Sequence, residues 1–591
     1  MYKFCWSICL SAALSFLIQM ESNGQSFEKI DPLIHQILET QHECDFFVIL
    51  KNKNPQVLQT NMLWTKEQKA NYVYDWLVSS AKLSQASIID FCNERNIKFK
   101  SFFLINGILV KGDDKLLDAM SQRNDVISIR YNVKSSLEYG QDPWDENSME
   151  LRSDPTWGII KIGANTVWAQ GYKGKGVTIG GADTGIEWTH PAIQPNYRGY
   201  DQNTNLANHS YNWHDAIHEI HPLNQPNSTN PCGLSTKSPC DDNNHGTHTV
   251  GTFSGLEGDQ NLIGVAPESK WIGCRNMERG YGSMASYIEC FEFFMAPTDT
   301  NNLNPKPYLA PHVINNSWSC PEIEGCNLTN FQTMTEAIDR LKQAGIVVVV
   351  SAGNDGGQCG SINTVPAMVE NAFSVGAIKQ NDTIASFSSW GPILIDGSNR
   401  IKPNIAAPGV GVRSCIRNNG YANFNGTSMA GPHVAGAVAL LISSNIKLSG
   451  RVELIEEILE KSARPMFHPS YSCSISSGTV IPNPIYGYGI LDIEKAIQMA
   501  KSIDLSNSPE ASIVNIFPNP TSDYIEVLTR WFGGETKFEI FSIDGKRVLS
   551  NRFEINNYQI STLDLRGLAS GTYILKVYNE KSTFYNKLIK I

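Results

Sequence analysis

Apolar and polar positions along this 591-residue chain fall into four textures, and each predicts its own set of elements. From Trp157 to about Ala500, short β-branched runs alternate with helical stretches. The runs are Val177-Thr178-Ile179-Gly180, Val313-Ile314-Asn315, Ile346-Val347-Val348-Val349-Val350 and Ala372-Phe373-Ser374-Val375. Their near-continuous apolar character predicts strands buried on both faces, as in a parallel α/β sheet covered by helices. Functional groups in such a sheet gather beyond the carboxyl ends of its strands, and Asp183 and Asn354 each follow one of these runs.

Residues 42–131 carry a different rhythm. An apolar strand at Phe46-Phe47-Val48-Ile49-Leu50 precedes a long helical stretch near 65–93, strands near Phe102 to Val110, a short helix near 114–121 and a strand at Val126-Ile127-Ser128-Ile129. The order βαββαβ predicts a ferredoxin-like α+β unit. Polar residues from Asn132 to Asp154 then read as a linker. Beyond about residue 502, a spacer at Asp504-Leu505-Ser506-Asn507-Ser508-Pro509 leads into alternating segments at Tyr524–Leu528, Lys537–Phe541 and Tyr573–Val577, which predict a small antiparallel β-sandwich. At the other end, Lys3 is followed by an apolar run through Ile18, too short to span a bilayer comfortably, and then by polar Glu21-Ser22-Asn23-Gly24-Gln25. That pattern predicts a secretory signal over residues 1–24, with a buried N-terminal strand or helix as the alternative.

Composition narrows the classes further. The 58 acidic residues outnumber the 48 Lys and Arg, the net charge is −10, and no basic run occurs, so nucleic acid is not an expected partner. Of 13 cysteines, Cys5 and Cys9 belong to the signal and Cys44 and Cys92 to the next unit, which leaves an odd number in the middle of the chain. Export permits disulfides. Cys232 with Cys240 and Cys320 with Cys326 are spaced to clip loops, although spacing leaves connectivity open and at least one thiol unpaired. No C-x-x-C pair supports a metal–thiolate site.

Three short stretches carry chemistry: Ala182-Asp183-Thr184-Gly185, His245-Gly246-Thr247-His248 and Gly426-Thr427-Ser428-Met429-Ala430. A serine hydroxyl becomes a good nucleophile when an imidazole takes its proton, and the imidazole needs a carboxylate to hold its tautomer and stabilise its cation. Each stretch alone has a rival reading. Asp-Thr-Gly also serves aspartic peptidases, but only one copy is present. His245 and His248 have H-x-x-H spacing, but no further metal ligands accompany them. G-x-S-x-G fails because Ala430 stands at the second glycine. The order Asp, His, Ser is that of subtilisin, so the chain resembles the subtilisin-like serine peptidases, or subtilases. Further matches at Phe387-Ser388-Ser389-Trp390-Gly391-Pro392, Lys402 to Gly409 and Gly487-Tyr488-Gly489 extend the resemblance across the middle region.

The resemblance implies a subtilisin-like parallel sheet flanked by helices over residues 157–501. It implies Asp183 as the orienting carboxylate, His245 as general base and then acid, Ser428 as nucleophile, and His248 as a structural histidine. Asn354 would complete an oxyanion hole with the Ser428 amide at a helix N-terminus. A substrate would lie extended along Val313 to Cys320, which would form one wall of its primary pocket, with Ser317, Trp318, Ser319, Ala352 and Gly353 as the substrate-binding residues. Ser319 departs from the family glycine and Trp318 from a smaller apolar residue. Residues 25–135 would be an inhibitory propeptide, with a unit of independent binding role as the alternative, and 136–156 a processing region. Residues 502–591 resemble the C-terminal sorting domain of the Bacteroidetes type IX secretion system. The motifs are Phe517-Pro518-Asn519-Pro520-Thr521-Ser522, Asp544-Gly545-Lys546, Leu568-Ala569-Ser570-Gly571-Thr572-Tyr573 and the tail Lys587-Leu588-Ile589-Lys590-Ile591; an adhesive or carbohydrate-binding sandwich is the alternative.

The expected function is a secreted or surface-attached serine endopeptidase made as a zymogen. Its partners are protein or peptide substrates, its own propeptide and the type IX machinery. No cofactor is required. Subtilases often bind structural calcium, but no ligand cluster here is specific enough to assign. An adhesin or pseudoenzyme on the same scaffold, and an esterase using the same residues, are the competing readings.

Overall fold

The computed structural model describes residues 29–61, 64–132, 134–136, 155–224, 230–258, 261–320, 326–473, 476–503, 514–517, 519, 521–579 and 583–591. The expected signal at 1–24, the spacer at 504–509 and most of the expected processing region at 136–156 lie outside the described residues.

Seven parallel strands form the central sheet, in the order Ile405–Pro408, Phe373–Ile378, Val347–Ser351, Val313–Asn316, Thr178–Asp183, Lys270–Arg275 and Trp213–Asp215. The unbroken apolar runs have a simple cause: successive side chains point to opposite faces, and both faces are covered. Val347 and Val349 pack into the layer of helices His245–Ser254 and Thr427–Ser444. Val348 and Val350 pack into the layer of helices Met284–Met295 and Leu328–Gln343. The chain enters the sheet at Thr178–Asp183, adds strands on one side, and then crosses to lay Val313–Asn316 on the other. Strand order therefore reverses beside Asp183, the place where such sheets open a crevice.

The N-terminal unit has the expected βαββαβ order. Its four antiparallel strands are arranged Phe99–Phe102, Gly107–Gly112, Cys44–Leu50, Val126–Tyr131, with helices Lys66–Glu94 and Asp114–Ser121 and a further helix, Pro32–Leu38, in front. Thr65 and Gln68 close a capping box at the start of the long helix. This unit does not keep its apolar surface to itself. Phe47, Val73, Trp76, Leu77 and Phe102 join the core of the Met284–Met295 layer. Within the stretch that reads as a linker, Lys134–Ser136 is a strand and pairs antiparallel with Tyr281–Ser283.

The C-terminal unit consists of antiparallel strands around Val514, Ile525, Val527, Phe538, Ile540, Leu563, Leu575, Val577 and Leu588. The two segments expected at 524–528 and 537–541 are parts of one strand, Tyr524–Ser542, whose register slips between Arg530 and Gly533. Asn519 pins the last strand, donating to Lys587 O at 2.7 Å and accepting from Ile589 N at 2.8 Å. Disulfides join Cys232 to Cys240 and Cys320 to Cys326, the two close pairs, and also Cys274 to Cys290 and Cys359 to Cys473. Cys415 is the odd thiol of the middle region, free and buried.

Candidate active site

Asp183 is the last residue of its strand, and His245 is the first residue of a helix. Both are buried. The His245 Nδ1–H donates to Asp183 at 2.8 Å (Oδ1) and 3.0 Å (Oδ2), which fixes the tautomer and leaves Nε2 as the basic nitrogen. Thr184 N, at 2.7 Å from Oδ1, holds the same carboxylate. Such a close approach of helix to strand end requires Gly246, because a Cβ there would meet the Gly185 carbonyl at 2.0 Å.

Ser428 is the second residue of helix Thr427–Ser444, entered through Gly426 at φ +155°, a conformation that L side chains rarely adopt. One turn on, Pro432 has no N–H to give to the Ser428 carbonyl, its partner in a regular helix. The Ser317 hydroxyl takes that place, donating to Ser428 O at 2.9 Å. In return the Ser428 hydroxyl donates to the Ser317 carbonyl at 3.3 Å. Asn354 lies three residues beyond the strand Val347–Ser351. Its Oδ1 accepts from Thr427 N at 2.9 Å and from Thr427 Oγ1 at 3.0 Å, so the amide is oriented by the turn that delivers the serine.

The expected residues therefore gather along the carboxyl ends of three adjacent strands. Asp183 and His245 stand at one, Ser317 follows the next, and Asn354 follows the third, with Ser428 bridged to Ser317 and Thr427 bridged to Asn354. Neighbouring strands are about 4.8 Å apart. His248 is held away from this chemistry: its Nε2–H reaches the Val412 carbonyl at 2.9 Å, its ring stacks on Phe424, and burial pushes it down to about 3.

The expected substrate-binding residues are placed unevenly. Val313–Asn316 is paired on both edges within the sheet, so it has no free edge for a peptide. Ser317 and Ser319 are buried just past it, and the buried Trp318 ring stacks on Tyr287 with centroids 3.7 Å apart. Ala352 N is bonded to Val375 O, and Gly353 N donates to Thr427 Oγ1 at 3.3 Å. The edge that does hold an extended chain is Tyr281–Ser283, paired with Lys134–Ser136. Sequence reasoning missed it, and it missed Thr184 and Asp241, whose side chains join the Asp183 and His245 segments. The unabsorbed acid of Asp241-Asp242, just before the histidine motif, was the available signal for the second of these. Among the described residues no group of three or more His, Cys, Asp or Glu side chains is placed to hold a metal ion.

Residues 174–489 match the subtilase family, and residues 515–591 match the secretion system C-terminal sorting domain, which marks the protein as secreted or attached to the cell surface. Bacillopeptidase F of Bacillus subtilis is 33% identical over 449 residues, 73% of this chain, although the chain spans only 29% of that longer protein. Subtilisin DY of Bacillus licheniformis is 31% identical over 345 residues, 58% of this chain and 98% of the relative. The epidermin leader peptide processing serine protease of Staphylococcus aureus shares the fold, with a TM-score of 0.52 at 18% identity, covering 78% of this chain and all of its own. With more than half of its length matched and subtilisin DY covered almost end to end, this chain belongs to the subtilase family of serine peptidases.

Proposed function

We propose that the protein is a secreted serine endopeptidase, made as a zymogen, in which Ser428, His245 and Asp183 form the catalytic triad. The Ser428 hydroxyl turns from the Ser317 carbonyl to His245 Nε2, gives up its proton there and attacks the peptide carbonyl. Asp183 stabilises the imidazolium that results. The tetrahedral oxyanion is received by the Asn354 amide and the Ser428 N–H, at the positive end of a helix. His245 then returns the proton to the leaving amine, an acyl-enzyme forms on Ser428, and water releases it by the same relay. Only the neutral imidazole of His245 can accept the serine proton.

Residues 25–135 act as the inhibitory propeptide, 136–156 as the processing region, 157–501 as the catalytic domain and 502–591 as the sorting domain recognised by the type IX machinery. Docking of the N-terminal unit supports the zymogen reading: its strand Lys134–Ser136 occupies the edge Tyr281–Ser283, where an extended substrate would pair through its backbone. The observation that carries the reading is the doubly bonded Asp183–His245 pair one strand away from the Ser428–Ser317 exchange.

The Ser428→Ala variant tests it. The expected product is folded, hydrolyses no peptide, does not react with a fluorophosphonate and retains an uncleaved junction between 131 and 157. Peptide hydrolysis at the wild-type rate by that variant would overturn the assignment. Wild-type protein that folds but takes no fluorophosphonate label would instead favour the pseudoenzyme reading, and cleavage of esters but of no protein would favour the esterase.

A further inference from the structure

The helix that begins at His245 is capped by a residue outside it. Asn244, the residue before the helix, has φ of 102° and makes no side-chain cap bond. Its oxygen faces Arg417 instead, accepting from N at 3.2 Å and Nε at 2.8 Å. Asp241 takes over. Its Oδ2 accepts from Thr247 N at 3.0 Å and Thr247 Oγ1 at 2.6 Å. Its Oδ1 accepts from Asn243 N at 2.9 Å, Asn244 N at 3.1 Å and Thr184 Oγ1 at 2.9 Å. Thr184 Oγ1 in turn accepts from Gly246 N at 3.0 Å. Asp241 is only 4% exposed, and the residue before it is tied down by the Cys232–Cys240 disulfide and by Ile186 N on the Cys240 carbonyl.

Unpaired amides in the first turn make a helix N-terminus positive, which disfavours a cation at its first residue. Here that residue must become an imidazolium each time the serine is deprotonated. The other titratable groups around the turn are Asp183 on the strand, Glu187 beside the Thr247 hydroxyl, Asp242, His248, Cys415 and Arg417. Burial keeps His248 and the Cys415 thiol uncharged at neutral pH, and Arg275 engages Asp242. Arg417 adds positive charge, with Nη1 on the Asp241 carbonyl. We infer that Asp241 is a positioning residue of the triad: its carboxylate offsets the positive end of the His245 helix and, through Thr184, locks that helix to the strand bearing Asp183.

The inference rests on the triad reading above, and a pH profile separates the two. Mature wild-type, Asp241→Asn and Asp241→Glu proteins are assayed on one peptide from about pH 5 to about pH 10. Asp241→Asn should lower kcat by about tenfold or more with KM within about twofold, and should move the acid midpoint down by about one pH unit. Asp241→Glu, which keeps the charge, should hold the wild-type midpoint. An Asp241→Asn profile with an unmoved midpoint, or a loss confined to KM, would overturn the inference. Should Asp241→Asn fail to fold, Thr184→Val removes the hydroxyl that links Asp241 Oδ1 to Gly246 N; a fall in kcat at constant KM supports the role, and an unchanged kcat overturns it. Hydrolysis by Ser428→Ala would sink the triad itself, whereas an inactive Ser428→Ala beside an unshifted Asp241→Asn profile would remove Asp241 alone.

Discussion

Asn354 comes to the site with its side-chain oxygen already occupied by Thr427, so the NH₂ edge of the amide is fixed relative to the serine that follows Thr427. Replacing Asn354 by Ala should lower kcat by about 10² to 10³ and leave KM nearly unchanged, the size established for a subtilisin oxyanion asparagine. Steady-state kinetics on a short peptide checks this; an effect mainly on KM would count against the oxyanion role. Asp183, His245, Ser428 and Asn354 stand out as candidates in short motifs, because their neighbours must be small or turn-forming wherever the chain makes such a turn. Trp318 was legible as a residue next to the pocket segment, but not as a ring stacked inward on Tyr287. Asp241 did not stand out as a link to the Asp183 segment: one of its oxygens faces the Thr184 hydroxyl, 57 residues away, and nothing local announces that those segments meet.

Elements were predicted best where a period of two or 3.6 ran long enough to show. The helix Lys66–Glu94 and the buried strands of the sheet fall where the pattern put them. The strand Lys134–Ser136 did not stand out, since three residues in a polar stretch become a strand only when Tyr281–Ser283 offers an edge. The docking of the N-terminal unit likewise depends on pairs between elements. Glu292, on helix Met284–Met295, accepts from Leu104 N at 2.8 Å and also from Phe103 N, while Lys100 pairs with Glu289. Burial pushes the Glu292 carboxyl up to about 8, so at neutral pH it meets those amides largely uncharged. In a Ser428→Ala background, Glu292→Ala should raise amide hydrogen exchange across residues 99–112 by about tenfold, the loss of roughly one buried acceptor. Glu292→Gln keeps the accepting oxygen and should exchange like the parent; equal protection in all three proteins would show that this contact does not hold the unit in place.

At the scale of the molecule, two buried imidazoles make the catalytic domain sensitive to acid. Burial holds His433, bonded through Nδ1 to the Met429 carbonyl at 2.8 Å, down at about 4, and His248 at about 3. An unfolded histidine titrates near 6.5, so each group's contribution is complete above that value and is lost as pH falls below it, by about 1.4 kcal/mol per pH unit. His433→Asn, compared with its parent in the Ser428→Ala background, should therefore lose about 2 kcal/mol less stability between pH 7 and pH 5. Denaturant unfolding at the two pH values measures the difference, and parallel losses would contradict it. Division into an N-terminal α+β unit, a parallel α/β domain and an antiparallel C-terminal unit was written in the chain itself, because burial on one face or two stamps its period on consecutive residues. So were the candidates proposed as nucleophile, base and carboxylate. Which groups meet across those units was settled only on folding: the Asp241–Thr184 bond, the Ser317–Ser428 exchange and the tail laid on Tyr281–Ser283 all join residues far apart in sequence. Hydrogen bonds depend on distance and angle in space, and such geometry leaves no period for consecutive residues to record.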